Sequence, residues 1–277
     1  MDRSAVWAVP FAVCLALSAC GADLGADDGE LAADDEPSEG YREPLSLPSG
    51  TKLLYRVSFE SGSTAASVGT SRRETVAVHN GGGTVTVVSN PKKDAHNGSA
   101  RVGRHQVPGG YRRAELSSQR LPTMGKTYIY KWSYYLPATF FSKAKTWDLV
   151  SQWKAYPCGK GPSPAQVCGS GGIFDDLTVH GSDLQLRFRA EPDCETATTP
   201  APAGEWVRLV MQVKWTKTNN GFARLWKNGE LVFQKQGIKT LFNGFDPGRC
   251  DLYWAVGLYA HSESGLTLYT DNIEIWE

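Results

Sequence analysis

The chain has 277 residues, of which 41% are hydrophobic and 11% aromatic, and this is ample for one large globular core. Its formal net charge is zero, but residues 20–43 carry nine acidic residues and one basic residue, whereas residues 44–277 carry 27 basic and 19 acidic residues. A basic body attracts anionic partners. Because the N-terminus indicates export, we exclude nucleic acid and expect an acidic polysaccharide.

Residues 1–19 are predicted to be a secretory signal peptide. An apolar run starts just after Arg3 and is too short to span a membrane. It ends in Leu17-Ser18-Ala19-Cys20, which resembles a bacterial lipobox, so Cys20 is expected to carry a lipid. An ordinary signal peptide is the alternative. We therefore expect an exported bacterial lipoprotein, in the outer membrane and periplasm or at the cell surface, that is held to the membrane through Cys20.

Residues 20–45 are predicted to form an acidic disordered tether, since Asp, Glu, Ala and Gly dominate and cannot bury a core.

Residues 46–277 are predicted to be a single all-β domain. Segments rich in Val, Tyr, Trp, Leu and Thr alternate with Gly, Pro, Asn and Ser, which is typical of short antiparallel strands in a two-sheet sandwich or jelly roll. Asn228-Gly229 suits a type I′ hairpin turn. One stretch, LPATFFSKAKT, is predicted to form a helical turn or loop. The candidate strands are LLYRVSF, TVTVVS, SARVGRH, YRRAELSSQ, TYIYKWSYYL, WDLVSQWKA, DLTVHG, LQLRFRA, EWVRLVMQVKW, FARLWKNGELVFQK, YWAVGLYAH and LTLYTDNIEIW.

Three of these strands place polar side chains on one face and apolar side chains on the other. Gln152 and Lys154 share a side opposite Trp153. Arg113 and Glu115 alternate with Ala114 and Leu116, and Tyr253, Tyr259 and His261 alternate with Trp254, Val256 and Leu258. Such a face is either the solvated side of a sheet or the floor of a binding groove.

Four cysteines remain after Cys14 and Cys20 are assigned to the signal region, and an even number in an exported chain favours two disulfides. Of the three possible pairings we favour Cys158–Cys168 with Cys194–Cys250.

Three motifs, RRAEL, SQWKA and YWAVGLY, occur in this order and resemble the strand motifs of jelly-roll polysaccharide lyases of the glucuronan lyase, heparin lyase I and alginate lyase type. The resemblance runs from about Tyr55 to Trp276. It implies a two-sheet β-jelly roll of the concanavalin A-like kind and cleavage of a uronate-containing polysaccharide by β-elimination, without a required cofactor. A monomer is expected.

The resemblance also implies roles for individual residues. Arg113 and Gln152 are expected to neutralise the substrate carboxylate, because a guanidinium pairs with it and an amide adds a donor. Tyr259 matches the proton donor, which in some members is also the base. Glu115 and Tyr253 lie in the same motifs and are expected to contact substrate.

Two departures from the motifs bear on catalysis: Lys154 stands in place of a histidine, and Ala255 in place of a lysine. Lys154 is then a base, a charge clamp or the mark of a lost activity. A histidine from another strand, His96, His105 or His261, is a further candidate for the base, and all three are expected to contact substrate. The alternative function is therefore a non-catalytic, lectin-like surface lipoprotein. A purely structural sandwich would leave the ordered motifs unexplained.

Other chemistries lack their motifs. A retaining glycosidase needs two nearby carboxylates, and no strand carries that pattern. Glu60 and Asp271 lie where related jelly rolls often bind a structural calcium ion, for which oxygen ligands are suited, so a structural calcium is a further expectation.

Overall fold

The computed structural model describes residues 46–69, 71–74, 82–110, 112–118, 123–144, 148–156, 173–189, 194–241, 245–246, 251–261 and 265–277. The predicted signal, Cys20 and the acidic tether lie outside these residues, as do Cys158, Cys168 and Cys250, and only the backbone of Cys194 is described. Within the described ranges, no helix has the length and apolar character needed to cross a membrane.

Fifteen strands and one short helix make up the described structure. In chain order they are β1 (Leu53–Val57), β2 (Ser71–Glu74), β3 (Thr84–Ser89), β4 (Arg101–Val107), β5 (Arg112–Ser118), β6 (Thr127–Tyr135), α1 (Phe140–Lys143), β7 (Leu149–Tyr156), β8 (Ile173–His180), β9 (Asp183–Arg189), β10 (Cys194–Pro200), β11 (Trp206–Lys214), β12 (Gly221–Lys227), β13 (Glu230–Ile238), β14 (Asp251–Ala260) and β15 (Leu266–Trp276).

The strands form two antiparallel sheets. Sheet A has the order β13-β12-β11-β6-β15-β4-β3, and β1 also pairs with β15. Sheet B has the order β10-β9-β8-β7-β14-β5-β2. In sheet B the three strands that carry the sequence motifs are adjacent, because β14 lies between β5 and β7. The predicted two-sheet β-jelly roll is thereby confirmed, with the helical turn at α1.

The core lies between the two sheets and is rich in aromatic side chains. Trp132 of sheet A packs edge-on against Trp153 and Trp254 of sheet B, at ring-centroid distances of 5.8 and 5.2 Å. Trp153 and Trp254 stack at 6.0 Å, and Tyr130 meets both rings edge-on. Each of these side chains is buried, so the inner face of the motif strands is dry and their polar residues face outward.

Two backbone positions depend on their residue types. Asn228 and Gly229 have φ angles of 49° and 94°, which confirms the predicted type I′ turn between β12 and β13. Gly257 in β14 has a φ of 133°, and an added Cβ would collide with the Ala114 carbonyl oxygen and the His105 ring. At this point the pairing of β14 with β7 also shifts register. Only glycine suits this position.

Candidate active site on sheet B

The outer face of sheet B gathers the polar residues of the three motifs through strand register. On β14, Tyr259 lies opposite Arg113, and Tyr253 lies opposite Lys154. Gln152 lies opposite Ala255, two residues before Lys154 and on the same side of β7. Residues separated by up to 146 positions along the chain, from 113 to 259, therefore share one face. The alternation seen in the sequence identified the face correctly.

Arg113 and Tyr259 form the most direct contact of this face. The guanidinium carbon of Arg113 lies 4.1 Å from the centroid of the Tyr259 ring. Both side chains are nearly enclosed, since the Arg113 side chain is 15% exposed and Tyr259 is 6% exposed. In this partly desolvated environment the guanidinium is attracted to the face of the neutral ring. Its positive charge also stabilises negative charge on the phenol oxygen.

His261 lies beside this pair. Its ring centroid is 5.2 Å from that of Tyr259, and the residue is exposed to solvent. The backbone N–H of His261 donates to Oδ1 of the buried Asp148 at 2.5 Å, which fixes the chain direction after β14. Partial burial lowers the pKa of His261 below its usual value; Asp148 opposes this shift and Arg113 adds to it. The imidazole is therefore mostly neutral at neutral pH and able to accept a proton.

Glu115 and Gln152 belong to the same polar layer, and both are completely buried. The Gln152 amide Nε2 donates to Glu115 Oε1 at 2.6 Å, and Arg113 Nε is 3.8 Å from Glu115 Oε2. This arrangement corrects the expectation that Gln152 and Glu115 contact substrate directly. Neither residue reaches solvent. Gln152 bonds to Glu115, and the Glu115 carboxylate in turn lies beside the Arg113 guanidinium.

An ion pair that sequence reasoning missed continues this polar layer across the sheet. Asp176 on β8 lies opposite Gln152, and Arg187 on β9 lies opposite Asp176. Arg187 Nε and Nη2 donate to the two carboxylate oxygens at 2.6 and 2.9 Å, and both residues are buried. The sequence offered one signal for this ion pair, a charged residue at a polar position in each of two strands. Only the strand register shows that the two residues lie side by side.

Two of the histidines expected at the site lie elsewhere. His105 on β4 is completely buried between the sheets, where its ring nitrogens contact the Ala114 carbonyl and the Thr270 hydroxyl, each at 2.7 Å. Burial lowers its pKa from 6.5 to about 4. His96 lies in the β3–β4 connection, beside Asn97, which bonds to Asp271 of sheet A. Their expected role in substrate binding is corrected, because neither reaches the face that carries Tyr259.

Glu60, which follows β1, and Asp271 of β15 lie near each other, as the calcium expectation requires. Asn97 Nδ2 donates to Asp271 Oδ2 at 3.0 Å, and the Ala100 N–H donates to Glu60 Oε1 at 2.9 Å. Burial raises the pKa of Asp271 to about 6; Ser99, Asn272 and Asn97 oppose the shift, and the charge of Glu60 adds to it.

The oxygen donors around Asp271 and Glu60 fit a hard cation. Asp271 Oδ1 is buried and has no hydrogen-bond partner within the described part of the chain, and a divalent ion would compensate such a carboxylate oxygen. Asp271 and Glu60 would hold the ion. The described residues contain no cluster of three His, Cys, Asp or Glu side chains arranged to bind a metal, so amide, hydroxyl or backbone oxygens would complete the shell.

A family model described as polysaccharide lyase matches residues 59–274, which include every motif strand. The chain belongs to this polysaccharide lyase family, and the resemblance drawn from the three motifs is confirmed. No curated protein sequence matches the chain.

Solved structures show the same fold at low sequence identity. The endo-β-1,4-glucuronan lyase of the fungus Trichoderma reesei is 20% identical, with a TM-score of 0.55 over 74% of this chain and 89% of that chain. The cellulose-induced protein Cip1 is 18% identical, with a TM-score of 0.51 over 79% and 95% of the two chains. The binding domain of botulinum neurotoxin DC, in complex with rat synaptotagmin II, is 8% identical, with a TM-score of 0.52 over 81% and 48%. At these identities the likeness concerns the fold alone.

Proposed function

We propose that this lyase cleaves an acidic, uronate-containing polysaccharide by β-elimination on the outer face of sheet B. The observation that supports this most is the convergence of Arg113, Tyr259 and His261, with the guanidinium 4.1 Å from the phenol ring and the imidazole 5.2 Å from it. Together they supply an anion-binding group, an acid and a neutral base, which the reaction requires.

The reaction needs charge stabilisation because the C5 proton of a uronate is weakly acidic. As the C5–H bond breaks, negative charge develops on the adjacent carboxylate, and a preorganised cation lowers the barrier. Arg113 is the group placed to pair with that carboxylate. In the proposed mechanism, His261 takes the C5 proton. The electron pair of the C5–H bond then forms the C4–C5 double bond as the C4–O4 bond breaks.

Tyr259 then completes the step by donating its phenolic proton to the departing O4. The neighbouring Arg113 stabilises the phenolate that is left. Proton transfer from the His261 imidazolium to this phenolate restores both groups, and the contact between the two rings supports such a transfer. Lys154, half-buried opposite Tyr253, is assigned to electrostatic binding of the polyanion.

The proposal is tested by replacing Tyr259 with phenylalanine. Turnover is followed by the ultraviolet absorbance of unsaturated uronate products on glucuronan, alginate and heparinoid polymers. We expect a loss of about 100-fold or more, which is the usual contribution of one general acid. Substrate binding should remain, because the ring and its contact with Arg113 are kept. Persisting activity would show that Tyr259 is not the proton donor.

The choice between His261 and Lys154 as base is decided by the pH–rate profile. His261→Gln should remove the acidic limb, which we expect below the ordinary histidine value because the pKa of His261 is lowered. Lys154→Gln is the matched variant and should weaken substrate binding while the limb stays. The reverse pattern would assign the base to Lys154.

A non-catalytic glycan-binding protein is the second candidate. The replacement of the motif's histidine by Lys154 and the complete burial of Gln152 favour it. Binding of a uronate polymer without any absorbance change, in the unaltered protein, would establish this function and exclude the lyase reaction.

We also propose that the protein is exported and lipid-anchored, on the strength of the lipobox-like Leu17–Cys20 sequence. Cys20→Ser should move the protein from the membrane fraction to the soluble fraction of expressing cells. An unchanged distribution would contradict the anchor.

A further inference from the structure

The outer face of sheet A, on the side away from the candidate active site, carries a cluster of cations that the proposed reaction does not use. We call it the basic face and define it by Arg56, Lys131, Arg208, Lys214 and Arg224. These residues point outward from β1, β6, β11 and β12, and β15 lies between β1 and β6. All five are partly exposed. With neighbouring strands about 4.8 Å apart, the face extends roughly 20 Å across the sheet.

Among the described strand residues of the basic face, Glu274 supplies the one carboxylate beside these five cations. Glu274 lies opposite both Lys131 and Arg56, and its Oε1 accepts from Arg56 Nε at 2.8 Å. Its Oε2 accepts from Trp276 Nε1 at 2.8 Å. Burial lowers the pKa of Arg208, and the charge of Glu274 opposes this shift. The cations therefore outnumber the acid and give the face a positive potential.

Aromatic rings are interleaved with these cations. Trp226, Val210, Lys131, Glu274 and Arg56 follow one another across the sheet in a single row. The next row contains Arg224, Gln212, Ile129 and Trp276.

The aromatic rings beside these cations are partly exposed. They belong to Trp226, Trp276 and Phe222, whereas Val210 and Ile129, which lie in the same two rows, are buried. Lys131 Nζ lies 5.9 Å from the Trp276 ring centroid, and the Arg224 guanidinium lies 5.1 Å from that of Phe222.

We propose that the basic face is a second, non-catalytic binding surface for an acidic polysaccharide. Partly exposed aromatic rings stack on the C–H faces of pyranoses, and adjacent ammonium and guanidinium groups pair with their carboxylates. The proposal rests on the proposed function only in the choice of a uronate polymer as ligand. A lipid surface is the less favoured occupant, because insertion into a bilayer requires projecting apolar side chains. Among the described residues only Met124 and Leu231 are large, apolar and exposed, and of the two only Leu231 lies beside the basic face, opposite Trp226.

The test measures binding of a long polyuronate and turnover of short oligouronates by the full chain. Lys131→Gln combined with Arg224→Gln removes two charges from the basic face, and Lys93→Gln combined with Lys143→Gln removes two charges elsewhere. We expect at least a tenfold weaker affinity for the polymer in the first variant, with a weaker salt dependence, and little change in the second. Turnover of short oligomers should be the same in both variants.

Three results would overturn the proposal: equal affinity in the first variant, an equal loss in the control variant, or binding to phosphatidylglycerol vesicles without binding to the polymer. The affinity is measured in the Tyr259→Phe background, so polymer is not consumed. Failure of the proposed reaction would appear as absent turnover in the unaltered protein, whatever the binding result, and the two failures are thus distinguishable.

Discussion

Replacing Asp271 with asparagine should make the metal-free protein more stable at neutral pH. The folded structure raises the pKa of Asp271 from 3.8 to about 6, mainly through burial. Ionising the carboxyl in the folded state therefore costs about 3 kcal/mol, at 1.36 kcal/mol for each pKa unit. Asparagine keeps the shape and an acceptor for Asn97 but carries no charge.

The direction of the pH dependence follows from linkage. Because the folded pKa is raised, the contribution of Asp271 to stability is fully present below pH 3.8 and is lost as the pH rises through about 6. His105 acts in the opposite sense. Its folded pKa is lowered from 6.5 to about 4, so its contribution is present above pH 6.5 and lost as the pH falls through about 4. The two changes largely cancel in the unaltered protein.

The assay is urea unfolding followed by tryptophan fluorescence, in the presence of EDTA, at several pH values from about 3.5 to about 8. Subtracting the unaltered protein from Asp271→Asn removes the His105 contribution. We expect a difference near zero at the acidic end that grows to about 3 kcal/mol in favour of the variant above pH about 6. Asp246→Asn, at an exposed carboxyl, is the control and should show no such slope.

A difference that does not change with pH would refute the argument from burial. Calcium supplies a second arm of the experiment. If Asp271 and Glu60 hold the ion, millimolar calcium should stabilise the unaltered protein at pH about 7 and leave Asp271→Asn unaffected.

Two other replacements test the packing around the candidate site. Gly257→Ala should lower the free energy of unfolding by at least about 2 kcal/mol, because φ is 133° there and the Cβ meets backbone, whereas Gly98→Ala, in open space, should cost less than about 1 kcal/mol; similar losses would contradict the backbone argument. Arg187→Met should cost about 3–5 kcal/mol because it removes the guanidinium that donates to both carboxylate oxygens of the buried Asp176. Adding Asp176→Leu should restore much of this loss, and an unrestored double variant would mean that packing, not charge, explains the cost.

The sequence by itself determined the fold class, because periodic alternation and turn residues are local properties. The Asn228-Gly229 turn appears in the structure as predicted. The predicted strand β11 shows the same local rule, because its alternating residues Val207, Leu209, Met211 and Val213 belong to the core. The motif strands and their outward side chains were also predictable, since residues two apart in a strand share a face. The family match confirms the class to which those motifs pointed.

Only the tertiary structure decided how deep each polar side chain lies. Alternation places Arg113, Glu115 and Gln152 on one face, but it does not distinguish a guanidinium that keeps some access to solvent from a completely buried carboxylate and amide. The position of His105 within its strand does not by itself show that the residue is buried. Its ring lies between the sheets, where Gly257 has no side chain and so leaves room for it. Depth depends on what packs across a sheet and on strand register between distant segments. Those contacts join residues far apart in the chain, and a local pattern carries no record of them.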